Sequence, residues 1–507
     1  MKACLLLQRR FAYVGHKLAI ILKKKYGINE FCSYVSVFSS YEFLKNQKEI
    51  DYSSLLLDEE IQGRYKNELL DLDYLQNLEK EYGLPNLWPY IAVDRVIMFN
   101  MLVREYPYDK PKYNHEEMMR ILQVMAKAII KFFDEEKPDF LFMTSLGSIG
   151  TLLLYEIAKK KNVKVILCVE TRIEDDYILT ENYRNFSWVE DLITNYKKLN
   201  GVSPKIKEAQ NYLESFRQGP STSSYFLSSD DYKRATRKEL DWFLPHNFIR
   251  SLSWFLKFTF QYFFKNKKAS YSIEKPLSYL VDRIRRKTRS IIGFNDLYDE
   301  IDRQEDFAYF PLHLEPEIST MLFAPFWTNQ INLIRQIARS LPLHFKLYVK
   351  EHPAMVGYRT RAYYKELKKI PNVRLIRPTM SSFELIKKSK LVTVITGTAG
   401  WQSVLFKKPV IIFGDVFYGA LSMVKKCTNI VTLPMLVKEQ LENFNHNERE
   451  LENFIGAIME ESAPIRLLEV WKKGLNDKQD EIKRLELLAD LIAKKLDITP
   501  TNLPSKI

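Results

Sequence analysis

Between residues 307 and 413 the chain alternates short, apolar, β-branched segments with amphipathic ones, and this run constrains its fold more than any other feature. The segments 307–311, 345–350, 373–376, 391–395 and 409–413 read as strands, and 327–339, 358–369, 382–388 and 399–406 read as the helices between them. Strands that are apolar throughout are covered on both faces, and strands separated by helices pair in parallel. The spacing therefore predicts a parallel sheet sandwiched by helices. A less regular series precedes it: strand 3–7, helix 16–26 closed by Gly27, strand 32–37, and a polar helical stretch over about 55–82. The loop 82–89, helix 115–136, a strand entered at 138–143, the small-residue turn 144–148, helix 149–160 and strand 163–169 complete it. The fold class predicted is α/β, with two Rossmann-like domains facing across a cleft. We expect an N-terminal domain over 1–200, a helical linker or insertion over 201–300, a C-terminal domain over 301–480, and a last helix with a frayed tail over 481–507.

Composition narrows the class. At roughly 100–200 residues per domain, 507 residues fit two or three domains. A hydrophobic fraction of 46% with 29 Tyr and 31 Phe excludes a disordered chain. No uncharged apolar run is long enough for a transmembrane helix, and the apolar stretch after Met1 is too short for a secretory signal. Cys4, Cys32, Cys168 and Cys427 form no C-x-x-C pair and read as buried thiols in a reducing compartment. A cytoplasmic protein is expected. The net charge of +13 is concentrated: residues 247–290 hold eleven Lys/Arg against Glu274 and Asp282, a local excess of +9. The rest is close to balanced, which argues against a nucleic-acid-binding surface.

Ligands of open α/β sheets bind beyond the carboxyl ends of the strands. Three such ends stand out. Lys350-Glu351-His352-Pro353 follows the strand at 345–350, where His352 can donate to a phosphate oxygen or act as an acid. Thr396-Gly397-Thr398-Ala399-Gly400 opens a helix, whose unbonded N–H groups and dipole favour an anion, although a tight strand–helix turn also requires small residues. Asp415 and Tyr418 follow a third strand and either contact a ligand or pack. Glu351 is a base or half of a surface pair. No cluster has metal-ligand spacing, Asp175-Asp176 being too little. In the first domain the turns at 13–16 and 144–148 also sit near strand ends.

The run Phe310-Pro311-Leu312-His313-Leu314-Glu315-Pro316-Glu317, the Lys350-Glu351-His352-Pro353 element, Thr396–Gly400, and Lys408-Pro409-Val410-Ile411-Ile412-Phe413-Gly414 with Phe417-Tyr418 together resemble the capsule polysaccharide biosynthesis family. The likeness is dense over about 306–420. The resemblance implies a GT-B-like retaining glycosyltransferase of the kind that moves Kdo from CMP-Kdo, with a nucleotide-sugar donor, CMP-linked, and no further cofactor. It implies that His352, Thr396, Gly397, Thr398 and Gly400 hold the nucleotide phosphate. It places Glu315 where the family carries Gln, and makes Glu317 the acid that acts on the sugar. Lys350, Glu351, Asp415 and Tyr418 would line the donor cleft. The rival readings are a nucleotide-sugar epimerase or polyol-phosphate transferase on a similar fold, and an inactive glycan-binding or export scaffold.

The segment 248–264 is rich in aromatic residues and is followed by basic ones. On a helix, Arg250, Ser253, Lys257 and Gln261 share a stripe, with Trp254 among the apolar residues and Arg285 and Arg286 beyond. Such a helix either lies in an anionic membrane interface, which would suit a lipid-linked glycan acceptor at the inner membrane face, or buries its aromatic face between domains.

Overall fold

A computed structural model describes residues 1–82, 86–100, 111–199, 201–219, 245–265, 276–302, 304–467, 470 and 479–501. Its strands are β1 (Lys2–Leu7), β2 (Glu30–Val35), β3 (Tyr52–Leu57), β4 (Phe140–Met143), β5 (Lys164–Glu170), β6 (Tyr177–Thr180), β7 (Phe307–Pro311), β8 (Lys346–Lys350), β9 (Val373–Ile376), β10 (Leu391–Val394), β11 (Val410–Ile412), β12 (Val424–Lys426) and β13 (Ser462–Ala463). The first sheet runs β3-β2-β1-β4-β5-β6-β13, with β6 antiparallel to β5 and β13 antiparallel to β6. The second runs β9-β8-β7-β10-β11-β12 and is parallel throughout. Both are Rossmann-like orders. The direction of winding reverses between β1 and β4 in one sheet and between β7 and β10 in the other, the places where such sheets open a crevice for ligands.

Alternation within each strand builds the two-sided core. Cys4 and Leu6 of β1 point with Leu141 and Met143 of β4 into the layer formed by the helices His115–Glu136 and Ile149–Lys160. Leu5 and Leu7, with Phe140 and Phe142, point the other way onto the helix Phe11–Tyr26. That helix ends at Gly27, whose φ of 68° is the left-handed C-cap conformation glycine adopts most easily. Cys4 and Cys32 are register partners on β1 and β2, a juxtaposition that their separation in sequence conceals, and all four cysteines are buried and unbridged.

Some boundaries depart from the sequence reading. Tyr52–Leu57 is a strand and not the start of the helical stretch expected over 55–82. Its three consecutive leucines lack the alternation of a half-buried strand, because the edge strand β3 shares Leu55 and Leu56 between the two core layers. The short strands β6, β12 and β13 carry no periodic signal of their own. The expected loop at 82–89 lies partly outside the described residues, as does the tail beyond residue 501.

The chain crosses between the sheets. After β6, the helices Ser187–Leu199 and Ile206–Gln218 pack on the second sheet's outer layer, where Phe216 meets Phe383 and Phe406. At the other end, Gln479–Lys495 returns to lie against Phe11–Tyr26, burying Leu485, Leu488, Ala489 and Ile492, with Tyr26 donating to Asp490 at 2.6 Å. The aromatic helix Pro245–Phe260 does not bury its aromatic residues in the core: none of the side chains described between 249 and 264 is buried. Arg250, Trp254, Lys257 and Arg285 are exposed. Arg286 is not a free basic flank, because it pairs with Asp282 at 2.9 Å and donates to the Tyr358 hydroxyl at 3.2 Å.

Leu488 is fully buried beneath the returning helix. Leu488→Ala should therefore destabilise the protein by about 2–5 kcal/mol, read as a lowered denaturation midpoint. An unchanged midpoint would mean that the last helix is not part of the first domain's core.

Candidate functional site

The loops after β7, β8 and β10 converge at the second sheet's reversal point. After β8, Pro353 begins a short 3-10 turn and His352 caps it: the Ala354 N–H donates to Nδ1 of His352 at 3.2 Å. A neutral imidazole that accepts at Nδ1 carries its proton on Nε2. His352 therefore presents an N–H donor. After β10, the helix Thr398–Leu405 starts at Gly397, which has no side-chain cap, so the first-turn N–H groups and the positive end of the dipole are not met by a capping side chain.

The five residues expected to seat a phosphate divide into two groups. Thr396 is already engaged, its N–H donating to Nε2 of His313 at 3.1 Å and its hydroxyl to the Ser319 carbonyl at 2.7 Å. Gly400 is buried, and a Cβ there would lie 2.2 Å from the Tyr418 hydroxyl, so its smallness serves packing. Tyr418 braces the loop by donating to the Gly397 carbonyl at 2.8 Å and is itself buried in the core. In this structure these three brace the loop. His352, Gly397 and Thr398 keep an arrangement suited to an anion.

Two residues that the sequence reading did not single out hold the loops together. His313 is buried between β7 and β10; because its Nε2 accepts from Thr396, its proton sits on Nδ1, the opposite tautomer to that of His352. Burial, with the nearby positive charge of Arg359 adding to it, pushes its pKa down to about 3 and keeps it neutral. Gly397 approaches so closely that a Cβ there would be 3.0 Å from His313 Nε2. Arg359 is wholly buried. It pairs with Glu351, donates to the His313 carbonyl at 2.6 Å and lies 3.4 Å from Glu315. His313 stands inside the Phe310–Glu317 run and could have been found there as a polar residue at a strand end. Arg359 had no such signal, since it precedes an amphipathic helix like any surface arginine.

The carboxylates are sorted by the same network. Glu351 is neither a base nor a surface pair: it is buried, bound by Arg359, by the Tyr364 hydroxyl at 2.8 Å and by the backbone N–H of His352 at 2.6 Å. Glu315 accepts from Gln330, which also clasps the His313 backbone on both sides, and its burial raises its pKa against the opposing pull of Arg359. Glu317 is half-buried at the start of Ile318–Met321, where the Ser319 hydroxyl donates to it at 3.2 Å. Lys350 is 4% exposed and donates to the Ser382 hydroxyl at 2.6 Å, and burial pushes its pKa down to about 8.

The first sheet faces this cluster with its own reversal point, bridged by Ser145 donating to Gln8 at 2.5 Å. Gly147 in the turn after β4 lies directly against Ile318. Asp415 does not face a ligand alone: it pairs with Arg184 of the first domain's chain at 2.9 Å and with Lys426. Tyr13 and His16 belong to the helix Phe11–Tyr26, and His16 turns to the Tyr52 hydroxyl at 3.1 Å, so this segment is not a strand-end loop.

Arg359→Met leaves Glu351 buried without its partner, and should cost about 3–5 kcal/mol of stability, measured by denaturation. Lys350 titrates lower in the fold than its ordinary 10.5, so the unfolded chain holds that proton more tightly and stability rises with pH between about 8 and 10.5. Lys350→Met should be more stable than wild type at pH 7, by up to about 3 kcal/mol, with the gap closing towards pH 10.5. Parallel stability–pH curves for the two would refute the burial of an unneutralised ammonium.

Residues 220–425 match the family model of capsule polysaccharide biosynthesis proteins, which bears out the resemblance carried by 306–420. No curated protein matches the chain. Among solved structures, a Thermosulfurimonas dismutans KpsC described as a beta Kdo 2,7 transferase is 13% identical, covering 71% of this chain and 89% of its own, with a TM-score of 0.37. A second T. dismutans KpsC, a beta Kdo 2,4 transferase, is 12% identical over 64% of this chain and 80% of its own at 0.31. The UDP-GlcNAc 2-epimerase of Methanocaldococcus jannaschii is 14% identical over 94% of this chain and 100% of its own at 0.25.

Proposed function

We propose that the chain is a retaining glycosyltransferase of capsular or surface polysaccharide assembly, which takes a nucleotide-sugar donor at the second sheet's reversal point and a glycan or lipid-linked glycan acceptor from the first domain's side. The observation that carries this reading is the convergence of the His352 N–H donor and the uncapped start of Thr398–Leu405 at one crevice, opposite the reversal point of the first sheet. Cleaving a sugar–phosphate bond leaves negative charge on the departing phosphate. Donors fixed in advance at that position stabilise the transition state more than the ground state. His352 and the first turn at Gly397–Thr398 supply such donors, so the protein provides the positive potential itself and turnover should survive a metal chelator. The sugar, as its bond breaks, becomes oxocarbenium-like and needs a carboxylate partner. Following the family resemblance, Glu317, half-buried at the start of Ile318–Met321, takes that role. Following the family resemblance, the donor is CMP-linked.

The test begins with thermal shifts against CMP, CDP, UDP, GDP and CMP-Kdo, followed by turnover of whichever donor binds. His352→Ala and Glu317→Gln should each lower turnover by about a hundredfold to a thousandfold, with Glu317→Gln leaving nucleotide binding in place. Donor consumed without acceptor-dependent product would point to epimerase or hydrolase chemistry. No shift with any member of the panel would favour a glycan-binding protein.

A further inference from the structure

The helices Pro245–Phe260 and Pro276–Ile292 form an outlying pair whose apolar residues face away from both sheets. On the first helix, Ile249, Leu252, Leu256 and Phe260 recur at intervals of three and four residues, which places them on one stripe. Each is exposed, from 47% at Leu252 to 65% at Ile249, and Phe263 and Phe264 extend the apolar surface. The opposite side of this helix meets its companion, where Trp254 and Phe258 pack on Tyr279 at ring separations of 5.2 and 5.8 Å. On the second helix, Leu277, Ile284 and Ile291 stand seven residues apart on one line and are likewise exposed. An uncovered apolar surface on this scale is uncommon unless something lies on it.

Its charge identifies the occupant. Arg250 and Lys257 border the apolar stripe, and Arg285 is exposed beside Ile284, within the segment that carries a local excess of +9. A second protein chain would need its own matching apolar face ringed by acid. An anionic bilayer offers both parts at once: acyl chains for the stripe and phosphates for the cations at its border. Among the described residues no helix is long and apolar enough to cross a membrane, which is consistent with a helix lying in the interface.

We propose that this helix pair docks the protein on an anionic lipid bilayer, with Ile249, Leu252, Leu256 and Phe260 inserted at the acyl boundary and Arg250, Lys257 and Arg285 on the lipid phosphates. The second helix is fixed to the enzyme's core through Arg286 on the Tyr358 hydroxyl and Arg289 on the Tyr358 carbonyl, one residue before Arg359. The docked surface is thus attached to the loop that holds the donor crevice. The inference stands on surface chemistry and does not depend on the glycosyl-transfer reading.

Flotation of the full chain with phosphatidylcholine vesicles, and with phosphatidylcholine–phosphatidylglycerol vesicles, tests it. Wild type should float with the anionic vesicles, less so at high salt, and hardly at all with phosphatidylcholine alone. The triple variant Arg250→Glu, Lys257→Glu, Arg285→Glu should bind about a hundredfold more weakly. Leu256→Asp with Phe260→Asp should also lose flotation while keeping the wild-type melting temperature and nucleotide-induced thermal shift, since both side chains are exposed. Equal flotation of wild type and both variants, or none by wild type, would overturn the proposal. So would a dimer in sedimentation that becomes monomeric in Leu256→Asp, Phe260→Asp, because the face would then be covered by a second copy.

Discussion

Arg359 is the group on which the arrangement of the candidate site depends. A guanidinium removed from water is tolerable only if its charge and its hydrogen-bond donors are met. The groups that meet it come from different strand ends: Glu351 beyond β8, and the His313 carbonyl and Glu315 beyond β7. His313 then carries the connection to β10 by accepting the Thr396 N–H. Three loops are thereby held at fixed separations by one buried cation and one neutral imidazole. Because Glu351 is consumed in this way, it positions its neighbour His352 by accepting that residue's N–H. The side chains that remain directed at a ligand are few, and they rest on a support that is unusually polar for a domain interior.

Much of the second sheet was legible in the sequence. Strands buried on both faces need continuous apolar runs, and the boundaries at 307–311, 373–376 and 382–388 match the structure residue for residue. Edge elements were harder. β3, β12 and β13 each have only one strand neighbour, and β6 is flanked by the two-residue β13, so their patterns are diluted or too short to have a period. The aromatic helix 245–260 reads equally well as core or surface, since amphipathicity states that one side differs without saying what covers it.

The candidate site was legible in its positions and less so in its roles. Strand ends located His352 and the Thr396–Gly400 turn, because the chemistry of a parallel sheet puts ligands there. Sequence proximity could not distinguish Thr396 and Glu351, which are engaged within the fold, from other residues of their types. Those distinctions arise from partners distant in the chain: Ser319 takes the Thr396 hydroxyl and Arg359 takes Glu351. A residue type at a strand end states what it can do, and its long-range partner determines whether it is still available to do it.

The crossing of the chain between the sheets constrains how the two halves can move. One connection leaves the first sheet after β6 to cover the second, and another leaves the second at Glu448–Glu461 and returns through β13 and the helix Gln479–Lys495. Two bodies joined by one tether can tumble freely, whereas two bodies joined twice are left mainly with rotation about the line through both joints. The Arg184–Asp415 pair adds a third connection between the two, through side chains. Neither half could be excised as a continuous stretch of chain without taking along a cover that belongs to the other.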